Sequence, residues 1–424
     1  MKAILATEKK DWTYIILAPV FGFIILGIYL LLLHVFKIPL SGSSLGYIIF
    51  FVTYSVVFDI NHYFSTYYRV FLDKSYYKEN KKWVIPGLLF IAIVPLLAFW
   101  WISAESVNTK GYYFFVFFRK FVLTLGFYHL VQQNWGFMAM YKSQAKERKT
   151  KINWDRLTLL SGSFIPLIMV NFISPIWFVG SEEYVFTPTP SRETSVIEWW
   201  REIALLNFVF VLIFGAIAAF FKRFQYRLPA RNMALFCLFV GLLIVSILKW
   251  GGTIVLSVMT GIAVSIFIVS LIQSIRFQMK EKSINWKKWA VLISNLILYF
   301  GIILFPISGD KLIIVAAITL PHNIQYLAFV PSFSIRQFSR TKKDHGLAKK
   351  LSKKLLLLFF IGMAFSLVFE FGRTGLSHLL PPSMNVQKII IGVVFLALVL
   401  HHYYLDAVIW KFSKNKELEK TRDS

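Results

Sequence analysis

Hydrophobic residues run along this chain in blocks of about twenty, separated by short polar segments rich in Lys and Arg. A helix that crosses a bilayer core about 30 Å thick needs a block of that length. The blocks predict twelve helices, at 14–36, 45–68, 84–103, 119–141, 156–179, 200–221, 232–249, 252–275, 288–308, 311–331, 355–373 and 388–411. The predicted fold class is therefore all-α: a polytopic integral membrane protein in one helical domain, with 412–424 as a solvated tail. Pro166 and Pro175 fall in the fifth block and Pro321 in the tenth, where a missing N–H predicts kinks. Arg119 and Lys120 predict that the fourth span begins with them. The first block is too long, and lacks the small-residue cleavage site, for a removed signal peptide.

The polar segments divide by charge. Basic ones precede the first block and follow each even-numbered one, as in "KSQAKERKTK" (142–151), "RFQMKEKSINWKK" (276–288) and "RQFSRTKKDHGLAKKLSKK" (336–354). The positive-inside rule then puts both termini on the cytoplasmic side of a plasma (inner) membrane. The longest outer segment is 181–200.

Composition agrees: 57% of residues are hydrophobic and 16% charged, with a mean hydropathy of +0.63. The net charge of +25 resides in loops beside lipid headgroups, so the bilayer, and no nucleic acid, is the expected partner. Cys237 stands alone, which excludes a disulfide framework and a cysteine metal cluster. No glycine-rich phosphate loop occurs.

The candidate chemistry lies in the histidines. His34, His345 and His378 fall near block ends or in loops and read as surface residues. The others lie inside even-numbered blocks: His62 on the second, His129 on the fourth, His322 on the tenth, and His401 with His402 on the twelfth. The next basic residues are Arg69, Lys142, Arg336 and Lys411 respectively. At about 1.5 Å per residue, four parallel helices bring imidazoles to a layer about 10–20 Å from the charged end. Ionisable groups at membrane depth usually mark function.

Each histidine has polar company at helical spacing. Asp59 precedes His62 by three, with Thr66 and Arg69 on the same stripe. Gln132 and Gln133 follow His129 by three and four. Gln325 follows His322 by three, and Asp406 follows His402 by four. A metal-bound imidazole usually donates its second N–H to such a group. Gly126 and Gly136 would let the fourth span approach its neighbours closely. Nearby aromatics, including Tyr63, Tyr326, Tyr403 and Trp410, read as an interfacial belt. Adjacent positions on a helix point about 100° apart, so His401 and His402 do not both face one centre. His402 shares a face with Asp406 and is the expected ligand; His401 is a second ligand or a bystander.

Neutral imidazoles suit Fe, Cu and Zn. The expectation is a metal ion held by His62, His129, His322 and His402, with iron favoured, copper or zinc as alternatives and haem less suited. Asp59 and Asp406 would orient or supplement these ligands, and Gln132, Gln133 and Gln325 would bind oxygen or substrate. In placing single histidines on separate transmembrane helices, the chain is similar to the Brp/Blh-type membrane carotene dioxygenases. The likeness is one of arrangement and covers no motif beyond those histidines, so no residue role is carried over. The resulting expectation is a non-haem iron oxygenase acting on a lipophilic small molecule. With no flavin or ferredoxin motif, an external donor would supply any electrons. A transporter using a His/Asp layer and a metal-free membrane transferase with a histidine base are the competing classes.

Overall fold

The computed structural model describes residues 3–5, 7–38, 45–103, 110–148, 152–173, 257–281, 283–303, 311–379 and 385–410. Among them the chain is helical throughout, with no strand. Helix α1 spans Ala18–Val35. Helix α2 consists of Leu45–Tyr54, a π-helical turn Ser55–Asp59, and Ile60–Phe71. Then come α3 (Lys74–Ser103), α4 (Lys110–Gln144), α5 (Trp154–Ile173) and α6 (Ser257–Met279). The series ends with α7 (Trp286–Ile303), α8 (Lys311–Arg340), α9 (Gly346–Ser352), α10 (Leu355–Leu379) and α11 (Asn385–Ile409).

Six of the described helices, α1, α6, α7, α8, α10 and α11, are long and apolar enough to cross a membrane. The predicted spans at 200–221 and 232–249, Cys237, Pro175, the segment 181–200 and the tail 412–424 lie outside the described residues. Several helices overrun their predicted ends. The fourth span begins at Lys110, so Arg119 and Lys120 lie within it, and the tenth runs on to Arg340. Apolar blocks stop at the first charges, but a helix continues wherever its charged turns remain solvated or paired.

Side-chain polarity is inverted relative to a water-soluble bundle. Val258, Ile262 and Ile266 on α6, and Leu356, Phe360 and Val368 on α10, point outward. Polar groups turn inward, and the buried charges are paired. Lys288, on α7, lies 3.1 Å from Glu147 and 3.4 Å from Asp155, and Lys142, on α4, pairs with the same two carboxylates. These ion pairs tie together the basic ends of α4, α5 and α7. Ahead of α1, the backbone N–H groups of Ile4 and Leu5 donate to the two carboxylate oxygens of Asp11 at 2.8 and 2.7 Å.

Helix α8 occupies the middle, packed on α1, α2 and α7, while α11 packs on α3 and α4. Pro321 lies within α8 without ending it. Because proline has no N–H, the carbonyl of Ala317, four residues earlier, loses its helical donor. Gly22 of α1 abuts that oxygen, where any Cβ would collide with it and with Leu298. Gly22→Val should therefore push α1 off α8. Overpacking of this kind costs about 1–3 kcal/mol, measurable as a lower thermal unfolding midpoint in detergent. Gly136, by contrast, faces open space, so it does not serve the close approach expected of it.

His345 is not a surface residue: it is 2% exposed. The loop before α9 folds back onto the end of α2, where His345 Nδ1 lies 2.9 Å from Asp73 and Nε2 lies 2.5 Å from Thr341 Oγ1. Asp73 gives the loop a polar partner that a reading of loop position alone does not reveal. His34 is exposed, and the side chain of His378 lies outside the described residues.

Candidate metal centre

Four helices bring one imidazole each into a ring of neighbouring side chains. The rings of His62 (α2), His402 (α11), His129 (α4) and His322 (α8) form a closed cycle. Successive centroids are 4.7, 5.3, 4.9 and 5.0 Å apart, and every pair is edge to face. The side chains are 3%, 0%, 12% and 3% exposed in that order. Residues this polar need a shared purpose at such burial, since an unpaired buried polar atom costs about 1–3 kcal/mol.

The nitrogens face one another. Nε2 of His62 and Nε2 of His402 are 3.1 Å apart. Two ligands at about 2.0–2.1 Å from one ion, subtending 90–110°, lie about 2.8–3.4 Å apart. His62, His322 and His402 present nitrogens within 4.8 Å of one another, and so do His129 and His402 with an Asp406 oxygen. His402 belongs to both sets.

The hydrogen bonds around His402 fix its tautomer. Thr66 Oγ1 donates to Asp406 Oδ1 at 2.8 Å and lies 2.8 Å from His402 Nδ1. With its only proton committed to the carboxylate, the hydroxyl accepts from Nδ1–H. The lone pair of His402 is then at Nε2 and aims at the centre, which is the arrangement a metal ligand requires. Tyr326 O–H also donates to Asp406 Oδ1, at 2.5 Å, and accepts from Trp410 Nε1–H at 3.1 Å.

Several atoms are left with no hydrogen bond: His129 Nε2, both ring nitrogens of His322, His62 Nδ1 and Asp406 Oδ2. Asp406 Oδ2 lies 3.4 Å from His129 Nε2 and 3.6 Å from His402 Nε2. His129 Nε2, the His322 nitrogens and Asp406 Oδ2 lie beside the His62–His402 pair as lone-pair donors that a cation would satisfy. The residues present thus fit a metal ion that prefers imidazole and carboxylate ligands.

The other predicted site residues are placed as follows. His401 is buried but turned away, stacked on Tyr67 at 5.9 Å and 23°. Asp59 lies one turn from the ring, accepting from Asn323 Nδ2 at 3.3 Å and from Tyr54 at 3.5 Å. Gln133 donates to the backbone oxygen of His322 at 3.2 Å and to Gln325 Oε1 at 2.9 Å; Gln325 in turn donates to Ile15 O and Asn134 Oδ1. Gln132 accepts from Arg156 at 2.9 Å. These bonds brace α4 against α8 and α5, and α8 against the segment before α1, and leave Gln132 Nε2 and Gln133 Oε1 without a hydrogen bond.

Three contributors are not legible as site residues from composition. Thr66 and Tyr326 follow His62 and His322 by four residues, the same spacing as Asp406 from His402. That shared i+4 spacing was the available signal, and it places all three one turn below the ring. Tyr403, read as part of an interfacial belt, stacks on His129 at 4.8 Å and 28°. Gly126 makes room for it, since a Cβ there would meet the Tyr403 hydroxyl at 2.6 Å. Glu370 of α10 is a further carboxylate at membrane depth, accepting from Ser55 Oγ at 3.2 Å.

The chain matches no protein-family model, no curated protein and no solved structure.

Proposed function

We propose that this chain is a membrane metalloenzyme whose ion is bound by His62, His129, His322 and His402. The observation that carries the reading is the convergence of Nε2 of His62 and Nε2 of His402, 3.1 Å apart, with the unpartnered nitrogens of His129 and His322 beside them. Iron is favoured: the ligands are imidazoles with a carboxylate on helices whose outward faces are apolar, which suits oxygen chemistry on a substrate drawn from the bilayer. The reaction class is oxygenation of a lipophilic molecule. In monooxygenase stoichiometry one oxygen atom enters the substrate and the other leaves as water, with two electrons and two protons from an external donor. The twelve-span topology, with termini on the basic side of a plasma membrane, belongs to the same proposal.

The test is elemental analysis of gently purified protein together with its optical spectrum. About one equivalent of iron without a haem band is expected. Less than a tenth of an equivalent of Fe, Cu and Zn together would overturn the reading. The four helices would then be joined by a metal-free polar layer, and substrate flux in proteoliposomes that depends on Asp406 would establish transport instead.

A further inference from the structure

Asp406 is held asymmetrically. Its Oδ1 accepts from both Thr66 (2.8 Å) and Tyr326 (2.5 Å), while Oδ2 has no hydrogen bond and lies 3.4 Å from His129 Nε2 and 3.6 Å from His402 Nε2. A carboxylate with both oxygens free can chelate an ion and occupy two positions. Here one oxygen is already saturated by hydroxyl donors that are themselves anchored: Thr66 to His402 Nδ1, and Tyr326 to Trp410 Nε1. Trp410 in turn packs at 5.0 Å on Phe329.

We infer that Asp406 is a metal ligand beside His129 and His402, bound through Oδ2 alone, and that Thr66 and Tyr326 are positioning residues which keep it monodentate. The inference rests on the metal-centre reading above and adds to it a carboxylate ligand and the way that ligand binds. His129 and His402 present nitrogens within 4.8 Å of an Asp406 oxygen, and a carboxylate bound through one oxygen leaves the position its second oxygen would take to a small exogenous molecule. Thr66 also sets the tautomer of His402, so it links the carboxylate and an imidazole in one hydrogen-bonded unit.

The experiment uses full-length protein in detergent, loaded with Fe(II) or Co(II), with nitric oxide as the probe for the open position. Wild type is expected to form a nitric oxide adduct with a half-integer-spin resonance. Asp406→Asn keeps an acceptor for the two hydroxyls and so preserves the local fold, but it presents an amide to the metal. Metal affinity should fall by about 10–100-fold, and the cobalt visible absorption should change with the lost ligand. The double variant Thr66→Val/Tyr326→Phe frees Oδ1 to chelate, so the metal is retained and the nitric oxide adduct is lost. Unchanged affinity and cobalt absorption in Asp406→Asn would overturn the inference while leaving the four-histidine centre standing. So would an undiminished adduct in the double variant. A wild-type chain that binds no metal would overturn both readings.

Discussion

His402→Ala is expected to leave the protein with less than a tenth of an equivalent of metal, and His401→Ala to leave the content unchanged. The two residues are neighbours in sequence and both are buried, so hydrophobicity and depth do not distinguish them. Geometry does. His402 contributes to both ligand sets, touches His62 Nε2 at 3.1 Å and is oriented by Thr66. His401 stacks on Tyr67 on the other side of the helix. Removing His402 also releases Asp406 from one of its two imidazole neighbours. The measurement is metal content by elemental analysis after identical purification, with helicity by circular dichroism as the folding control. Loss of metal in His401→Ala with retention in His402→Ala would reverse the assignment.

The second large effect concerns stability. Arg69→Met should destabilise the fold by about 3–5 kcal/mol, the usual cost of breaking a buried ion pair from one side. Arg69 and Asp73 are each 1% exposed and 3.2 Å apart. The other guanidinium nitrogen donates to Gln337 at 2.7 Å, which ties the end of α2 to α8. Methionine removes the guanidinium that lies over Phe338 and leaves Asp73 with His345, Ser75 and the backbone N–H of Tyr76 but no cationic partner of fixed charge. Arg69→Lys keeps the charge, loses the two-pronged geometry and should cost less. Thermal unfolding in detergent measures both, and a midpoint for Arg69→Met equal to wild type would show that the pair carries no net stabilisation.

Much of this architecture is written in the spacing of apolar residues. Blocks of about twenty hydrophobic residues are too long for anything but helices at membrane depth, because an unsatisfied backbone polar group in hydrocarbon costs several kcal/mol. The helical class and the membrane setting follow from that alone. The histidine layer was equally legible, since a fixed rise per residue converts sequence distance from Arg69, Lys142, Arg336 and Lys411 into depth. Helix ends were less so, because Lys110 and Arg340 extend helices beyond where the apolar pattern stops.

Depth is a one-dimensional quantity, and a site also needs azimuth. Each helical side chain can point anywhere around its axis, and only the packing of neighbouring helices selects a direction. That is why Gln133 and Gln325, at the expected depth and spacing, spend their hydrogen bonds on each other, and why Asp59 pairs with Asn323 instead of a ring nitrogen. It is also why Tyr326 and Thr66, which the sequence places near their histidines without a common partner, meet at one carboxylate oxygen. The π-helical turn Ser55–Asp59 just before His62 shifts the register of α2, and such turns recur at functional sites. The sequence by itself determined a helical membrane protein with imidazoles at one level. The tertiary structure alone decided that four of them face one another and the fifth does not, because rotation about a helix axis is set by contacts between segments far apart in the chain.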